Sequence, residues 1–168
     1  MIIIGIDPGY AIVGFGAVEY RNNSFKLIEY GAVTTKAGEP FDQRLLKIDR
    51  EITDFYKRIK PEAMAIEKLF FNSNQKTAID VAQARGVLVL NAIKAGIPVF
   101  EYTPLQVKMS VVGYGRAEKH QVMEMTRIML GLEKVPKPDD AADALAIAIC
   151  HAHSAVSRMG SAILNNRR

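Results

Sequence analysis

The chain predicts an α/β fold, a mixed five-stranded sheet flanked by α-helices. Three observations carry this expectation. Two short apolar runs, Ile2–Asp7 and Ala63–Glu67, end in acidic residues and have the length and composition of buried strands. Leu45, Ile48, Ile52, Phe55 and Ile59 recur at alternating steps of three and four, the spacing of one helix face. Arg21-Asn-Asn-Ser24 separates two strand-like stretches and reads as a hairpin turn. The resulting order is three strands, a helix, a strand, a helix, a strand and further helices. It joins an antiparallel hairpin to βαβ units and so gives a mixed sheet.

Each element has its own signal. Ile2–Asp7 is closed by Asp-Pro-Gly, a turn sequence. Ala11–Tyr20 and Phe25–Thr35 flank the hairpin turn. The helix Phe41–Lys60 stops at Pro61. Ala63–Glu67 is almost wholly apolar, which suits a central strand. Gln75–Ala95 is a second helix, and Gly96 is placed to cap its C-terminus. Ile97–Tyr102 is a fifth strand. Pro104–Val112 and Ala117–Leu130 are helical, divided by the loop Gly113-Tyr-Gly-Arg116. Asp140–His153 is the last helix, with Pro138 before it and Asp139 placed as its cap.

The 168 residues fit one domain, and 49% apolar with 24% charged residues is an ordinary globular balance. Cys150 is the only cysteine, so no internal disulfide forms and a reducing compartment is expected. The run Met1–Ile6 is too short for a signal peptide or a membrane span, and no basic region precedes it. The expectation is a soluble, cytoplasmic protein.

Four carboxylates carry the chemistry. Asp7 and Glu67 end two predicted central strands, at the edge where open α/β sheets bind ligands. Asp140 and Asp143, three apart, share one helix face in its first turn, where the dipole favours negative charge. Each alone has a plain structural role: a turn aspartate, an ion-pair partner, a helix cap, a surface charge. Together, with Asp143 set in the apolar run Ala141–Ile149, they suit a hard cation such as Mg²⁺ or Mn²⁺. Setting the four aside leaves 22 basic groups against 14 acidic ones, a balance that favours an anionic partner. Metal-assisted phosphodiester chemistry is the reading that joins both facts.

Six stretches then resemble one family. They are Gly5-Ile-Asp-Pro-Gly9, Ala65-Ile-Glu67, Ala82-Gln-Ala-Arg-Gly86, Gln106-Val-Lys108, Ala117-Glu-Lys119 and Asp140-Ala-Ala-Asp-Ala-Leu-Ala-Ile-Ala148. In this order, over roughly residues 1–155, they resemble the RuvC family of Holliday-junction resolvases, which have the RNase H-like fold. The resemblance implies a nuclease domain over 1–155; the terminal stretch 156–168 is expected as a flexible C-terminal tail. The resemblance makes Asp7, Glu67, Asp140 and Asp143 the catalytic tetrad and metal ligands; the family spacing Asp-x-x-Asp selects Asp140 over Asp139. Sites of this type hold two Mg²⁺ ions about 3.5–4 Å apart, with Mn²⁺ as an alternative. The implied reaction is symmetric nicking of two strands of four-way DNA in recombination and repair. It leaves 5′ phosphate and 3′ hydroxyl ends.

The resemblance also assigns supporting residues. Lys108 and Lys119 match lysines placed beside the DNA, where they neutralise phosphate or developing charge. Arg116, a basic residue in the loop before Lys119, is expected as a further DNA contact, apart from the resemblance. Phe70 matches an aromatic that stacks on an unpaired base; its neighbour Phe71 is the core alternative. The family dimerises near the second helix, where Ala78, Ala82 and Gly86 form a small-residue stripe; packing on the chain's own sheet would use the same pattern. A homodimer places one active site on each of two equivalent strands. A junction-migrating motor complex is the implied partner. Cys150, His151 and His153 resemble a metal cluster by type but do not share one helix face, so they read as structural.

Three other classes compete. Actin-like and sugar-kinase-like ATPases also begin with a strand and an Asp-x-Gly loop, but Tyr10 and Ala11 stand where such proteins use small hydroxyl residues. A non-catalytic junction-binding module would not need all four acids. Another RNase H-like nuclease, including one that cuts RNA in hybrids, lacks a reason for the Lys108 and Lys119 segments.

Overall fold

A computed structural model describes residues 1–69 and 75–165. Their elements are β1 (Ile2–Asp7), β2 (Ile12–Arg21), β3 (Ser24–Thr34), α1 (Phe41–Ile59), β4 (Ala63–Glu67), α2 (Gln75–Lys94), β5 (Val99–Tyr102), α3 (Pro104–Val111), α4 (Lys119–Met129) and α5 (Asp139–Asn165). The sheet order is β3-β2-β1-β4-β5. β1, β2 and β3 pair antiparallel, while β4 joins β1 and β5 joins β4 in parallel. This is the expected mixed sheet. The β2–β3 turn uses Asn22 and Asn23, both with positive φ, as a tight hairpin requires.

Strand alternation divides the core in two. Ile4, Ile6, Met64 and Ile66 face α1 and α2, with Ile48, Ile52, Phe55 and Leu88 opposite them. Ile3 and Ala65 face α5, with α3 and α4 behind it. Asp7 and Glu67 continue this second alternation, so their side chains fall on the α5 side.

α5 lies against β1 and β2 with little between them. A β-carbon on Gly5 would run into the Ala144 carbonyl, and one on Gly16 would meet the Leu145 side chain. Gly5 and Gly16 are paired across β1 and β2. The small residues Ala141, Ala142, Ala144, Ala146 and Ala148 complete this close approach and are fully or almost fully buried.

Several boundaries shift by one or two residues, the start of α4 at Lys119 instead of Ala117 among them, and three further differences stand out. β5 starts at Val99, because the Ile97 N–H donates to the Ala92 carbonyl and closes α2. With Gly96 donating to Ile93 at φ +72, this is a Schellman ending. α5 continues past His153 to Asn165, into the stretch expected as a tail. Asp139 begins α5 but pairs with lysines instead of capping it, as described below.

Candidate active site

The parallel register sets Ile6 beside Ile66, so Asp7 and Glu67 emerge level at the C-terminal ends of neighbouring strands. On the other side of β1, Asp7 pairs with Gly14. The backbone of Asp140 fills the space beside Gly14 where a side chain would stand. That contact brings the first turn of α5 to the strand ends. Asp143, one turn on, lines the same pocket as Asp7 and Glu67.

Two short helices supply the basic side. Thr103 follows β5 and caps α3: its hydroxyl accepts from the Gln106 N–H at 3.1 Å, while the Gln106 side chain accepts from the Thr103 N–H at 2.8 Å. This reciprocal cap sets Pro104, Val107 and Lys108 against the pocket. At the start of α4 the Glu118 N–H donates to the Gln121 side chain at 2.8 Å, and the Gln121 N–H donates to the Glu118 main-chain carbonyl at 3.1 Å, which makes Lys119 the first residue of the helix. Gln106 and Glu118, read from the sequence only as parts of motifs, therefore aim the two lysines. The pocket holds about 210 Å³, and Val122, Ala146 and Ile147 form its apolar wall.

Charge is concentrated here. Burial pushes the Asp7 carboxyl up from 3.8 to about 8, and Glu67, Asp143 and Asp140 add to the rise; Lys119 opposes it. Burial raises Glu67 as well, helped by Asp143 and opposed by Lys119. The Lys119 Nζ lies 2.8 Å from Asp143 Oδ2 and 3.9 Å from Asp139 Oδ2. Burial works against the Lys119 charge, but its hydrogen bond and charge pairing with Asp143, with Asp139 and Asp7 adding, hold its pKa above the ordinary range. Mutually repelling, part-buried carboxylates are a donor set that suits a hard divalent cation. Among the described residues, no three acidic, histidine or cysteine side chains are already closed around a common point.

Arg116 is exposed in the loop before α4 and does not line the pocket. Phe70 and Phe71 lie outside the described residues. The His151 Nδ1 shares a 2.9 Å hydrogen bond with the buried Tyr102 hydroxyl, and its ring packs on Phe100. His153 Nδ1 lies 3.1 Å from the Ser110 hydroxyl. Both histidines join α5 to its neighbours, as the helix-face argument expects. Sequence reasoning missed Arg85, which pairs with Glu101 and whose Nε donates to the Glu67 carbonyl at 3.5 Å; its arginine type inside the Ala82–Gly86 motif was the available signal. Among the described residues, no helix is long and apolar enough to cross a membrane.

Comparison with known proteins adds three findings. The family model "Crossover junction endodeoxyribonuclease RuvC" matches residues 3–151. Relatives of that name include one from Ruminiclostridium cellulolyticum, 55% identical over 99% of each chain, and one from Clostridioides difficile, 59% identical over 92% of this chain and 91% of its own. The Thermus thermophilus RuvC structure superposes with a TM-score of 0.87 at 39% identity, covering 95% of this chain and 97% of that one. The same protein in complex with Holliday junction substrate gives 0.86 at 37% identity, again over 95% and 97%. The expected RNase H-like arrangement stands, and the chain belongs to the crossover junction endodeoxyribonuclease RuvC family.

Proposed function

We propose that this chain is a cytoplasmic, structure-selective endonuclease that resolves Holliday junctions during recombination and repair. It nicks two strands symmetrically and leaves 5′ phosphate and 3′ hydroxyl ends. The observation that carries this reading is the gathering of four carboxylates and two lysines at one sheet edge, in a chain otherwise rich in basic groups. The relative solved with Holliday junction substrate supports the choice of DNA.

Asp7, Glu67, Asp140 and Asp143 would hold Mg²⁺, two ions to a site, with Mn²⁺ able to substitute. Bound there, the metal supplies an activated water and stabilises the leaving 3′ oxygen. The chain's own residues do the rest. The apolar wall of Val122, Ala146 and Ile147 limits water around the acids. Lys108 and Lys119 neutralise the phosphate that enters between them. Arg116 contacts the DNA backbone outside the pocket, and Phe70 stacks on an unpaired base.

The active unit is a homodimer built on the outward face of α2, and a junction-migrating motor is its partner. The inward face of α2 is taken by Ala84, Leu88 and Ala92. Gly86, in the small-residue stripe, has open space around it. This favours a partner for the stripe over the chain's own sheet.

The test uses an end-labelled four-way junction, a linear duplex and an RNA–DNA hybrid, each with Mg²⁺ or with EDTA. Paired, metal-dependent nicks on the junction alone are expected. Asp7→Asn should bind the junction and leave it intact, because it removes a ligand oxygen without adding bulk. Normal cutting by Asp7→Asn would displace the metal site, and preferential cutting of the hybrid would reassign the substrate.

A further inference from the structure

Lys119 stands between two acids. Its Nζ is 2.8 Å from Asp143 Oδ2 and 3.9 Å from Asp139 Oδ2. The other oxygen of Asp139, Oδ1, accepts a hydrogen bond from Lys137 Nζ at 2.6 Å. Asp139 is therefore held by one oxygen and presents the second to Lys119. Asp139 and Lys119 are the first residues of α5 and α4, and the Glu118–Gln121 cap fixes the backbone of Lys119. Exchange of Lys119 between the two acids needs only side-chain torsions.

We propose that Asp139 is a positioning residue that gives Lys119 a second carboxylate when Asp143 turns to a divalent cation. The inference rests on the metal reading above. A divalent cation taking Asp143 Oδ2 would stand beside the ammonium that now lies 2.8 Å from that oxygen, and the repulsion between the two would drive Lys119 off. Without Asp139, Lys119 would give up its ion pair to water whenever the cation binds. With Asp139, it recovers a pair one carboxylate away and stays at the mouth of the pocket. Asp139 also borders a second cavity of about 590 Å³, lined by Lys119, His120 and Lys137, so the displaced ammonium has room to move.

The measurement is calorimetric titration of Ca²⁺ alone into the full chain without DNA. The proteins are the wild type, Asp139→Asn, Lys119→Met and the double variant. Asp139→Asn should weaken Ca²⁺ binding by roughly twofold to fivefold, the size of one exposed ion pair. In the Lys119→Met background the same change should have no effect, because Asp139 acts through Lys119. Asp139→Glu, which keeps a carboxylate, should restore most of the affinity. Equal weakening in both backgrounds would make Asp139 only a nearby charge and overturn the proposal. So would unchanged or tighter binding by Asp139→Asn. Asp7→Asn separates the two levels: if it binds Ca²⁺ as well as the wild type, the metal reading fails and the inference fails with it. If Asp7→Asn loses binding but the cycle shows no coupling, the inference about Asp139 fails alone.

Discussion

The main-chain carbonyl of Asp140 occupies the place where a β-carbon of Gly14 would stand. Gly14 is paired with Asp7 across β1 and β2, so one contact joins two of the four acids. Gly14→Ala should push the first turn of α5 away from the strand ends. Overpacking of this kind costs about 1–3 kcal/mol. At about 2–4 °C per kcal/mol for a chain of this size, the melting temperature should fall by about 2–12 °C. Cleavage should fall much further than junction binding, because Asp140 and Asp143 move relative to Asp7 while the basic surface stays. Thermal melts with binding and cleavage assays test this; unaltered melting and unaltered cutting would mean the contact is not a constraint.

The acid cluster makes stability depend on pH in a direction opposite to the usual carboxylate. The folded Asp7 holds its proton up to about pH 8, whereas the ordinary value is 3.8. Between about 4 and about 8 the folded state binds the proton that the unfolded chain has released, so metal-free protein should lose stability as pH rises. Asp7→Asn removes this cost and should be more stable than the wild type near pH 8. Its slope should be shallower but not flat, since Glu67 is raised too. Mg²⁺ should gain affinity over the same rise in pH, because binding displaces the proton. Melting curves in EDTA at several pH values decide it. A wild-type slope of the opposite sign, or one that Asp7→Asn leaves unchanged, would sink the account.

Much of this was legible in the chain. β1 and β4 were bounded as observed because each is a short apolar run ended by an acid, and the Asn22–Asn23 turn announced the hairpin. The pairing of β1 with β4, which sets Asp7 beside Glu67, comes from the sheet order and is not given by either run alone. What stayed hidden involves contacts between elements. Gly5, Gly14 and Gly16 are ordinary strand glycines in sequence, and only the descent of α5 onto them shows why a side chain is excluded. Asp139 looked like a cap because it precedes an apolar helical run. Its lysine partners lie on α4 and just before α5, and the α4 partner had no local signal. From the sequence, the last helix is expected to end at His153, whereas α5 runs on to Asn165.

The histidine in the buried face of α5 offers a check on what belongs to catalysis. His151 and Tyr102 share a 2.9 Å hydrogen bond that ties α5 to β5. Tyr102→Phe removes that bond and should cost about 0.5–1.5 kcal/mol. The melting temperature should drop by about 1–6 °C. Cleavage rate and its Mg²⁺ dependence should hold. Lost cleavage with unchanged melting would instead place His151 in the chemistry.

The outward face of α2 should set the oligomeric state. Ile79, Leu90 and Ile93 are 69%, 52% and 59% exposed, and with Gly86 they follow steps of seven, four and three along one side of the helix. A contiguous apolar stripe left in water is a common mark of an association surface. In a two-fold dimer the stripe meets its own copy, so one substitution is felt twice. Leu90→Glu sets charge into that contact without touching the inward residues Ala84, Leu88 and Ala92. The wild type should sediment as a dimer and the variant, at the same concentration, as a monomer, and the variant's melting in dilute solution should change little. On a four-way junction it should nick one strand per binding event, whereas the wild type should nick two in concert. Unchanged sedimentation with paired nicks would take α2 out of the interface.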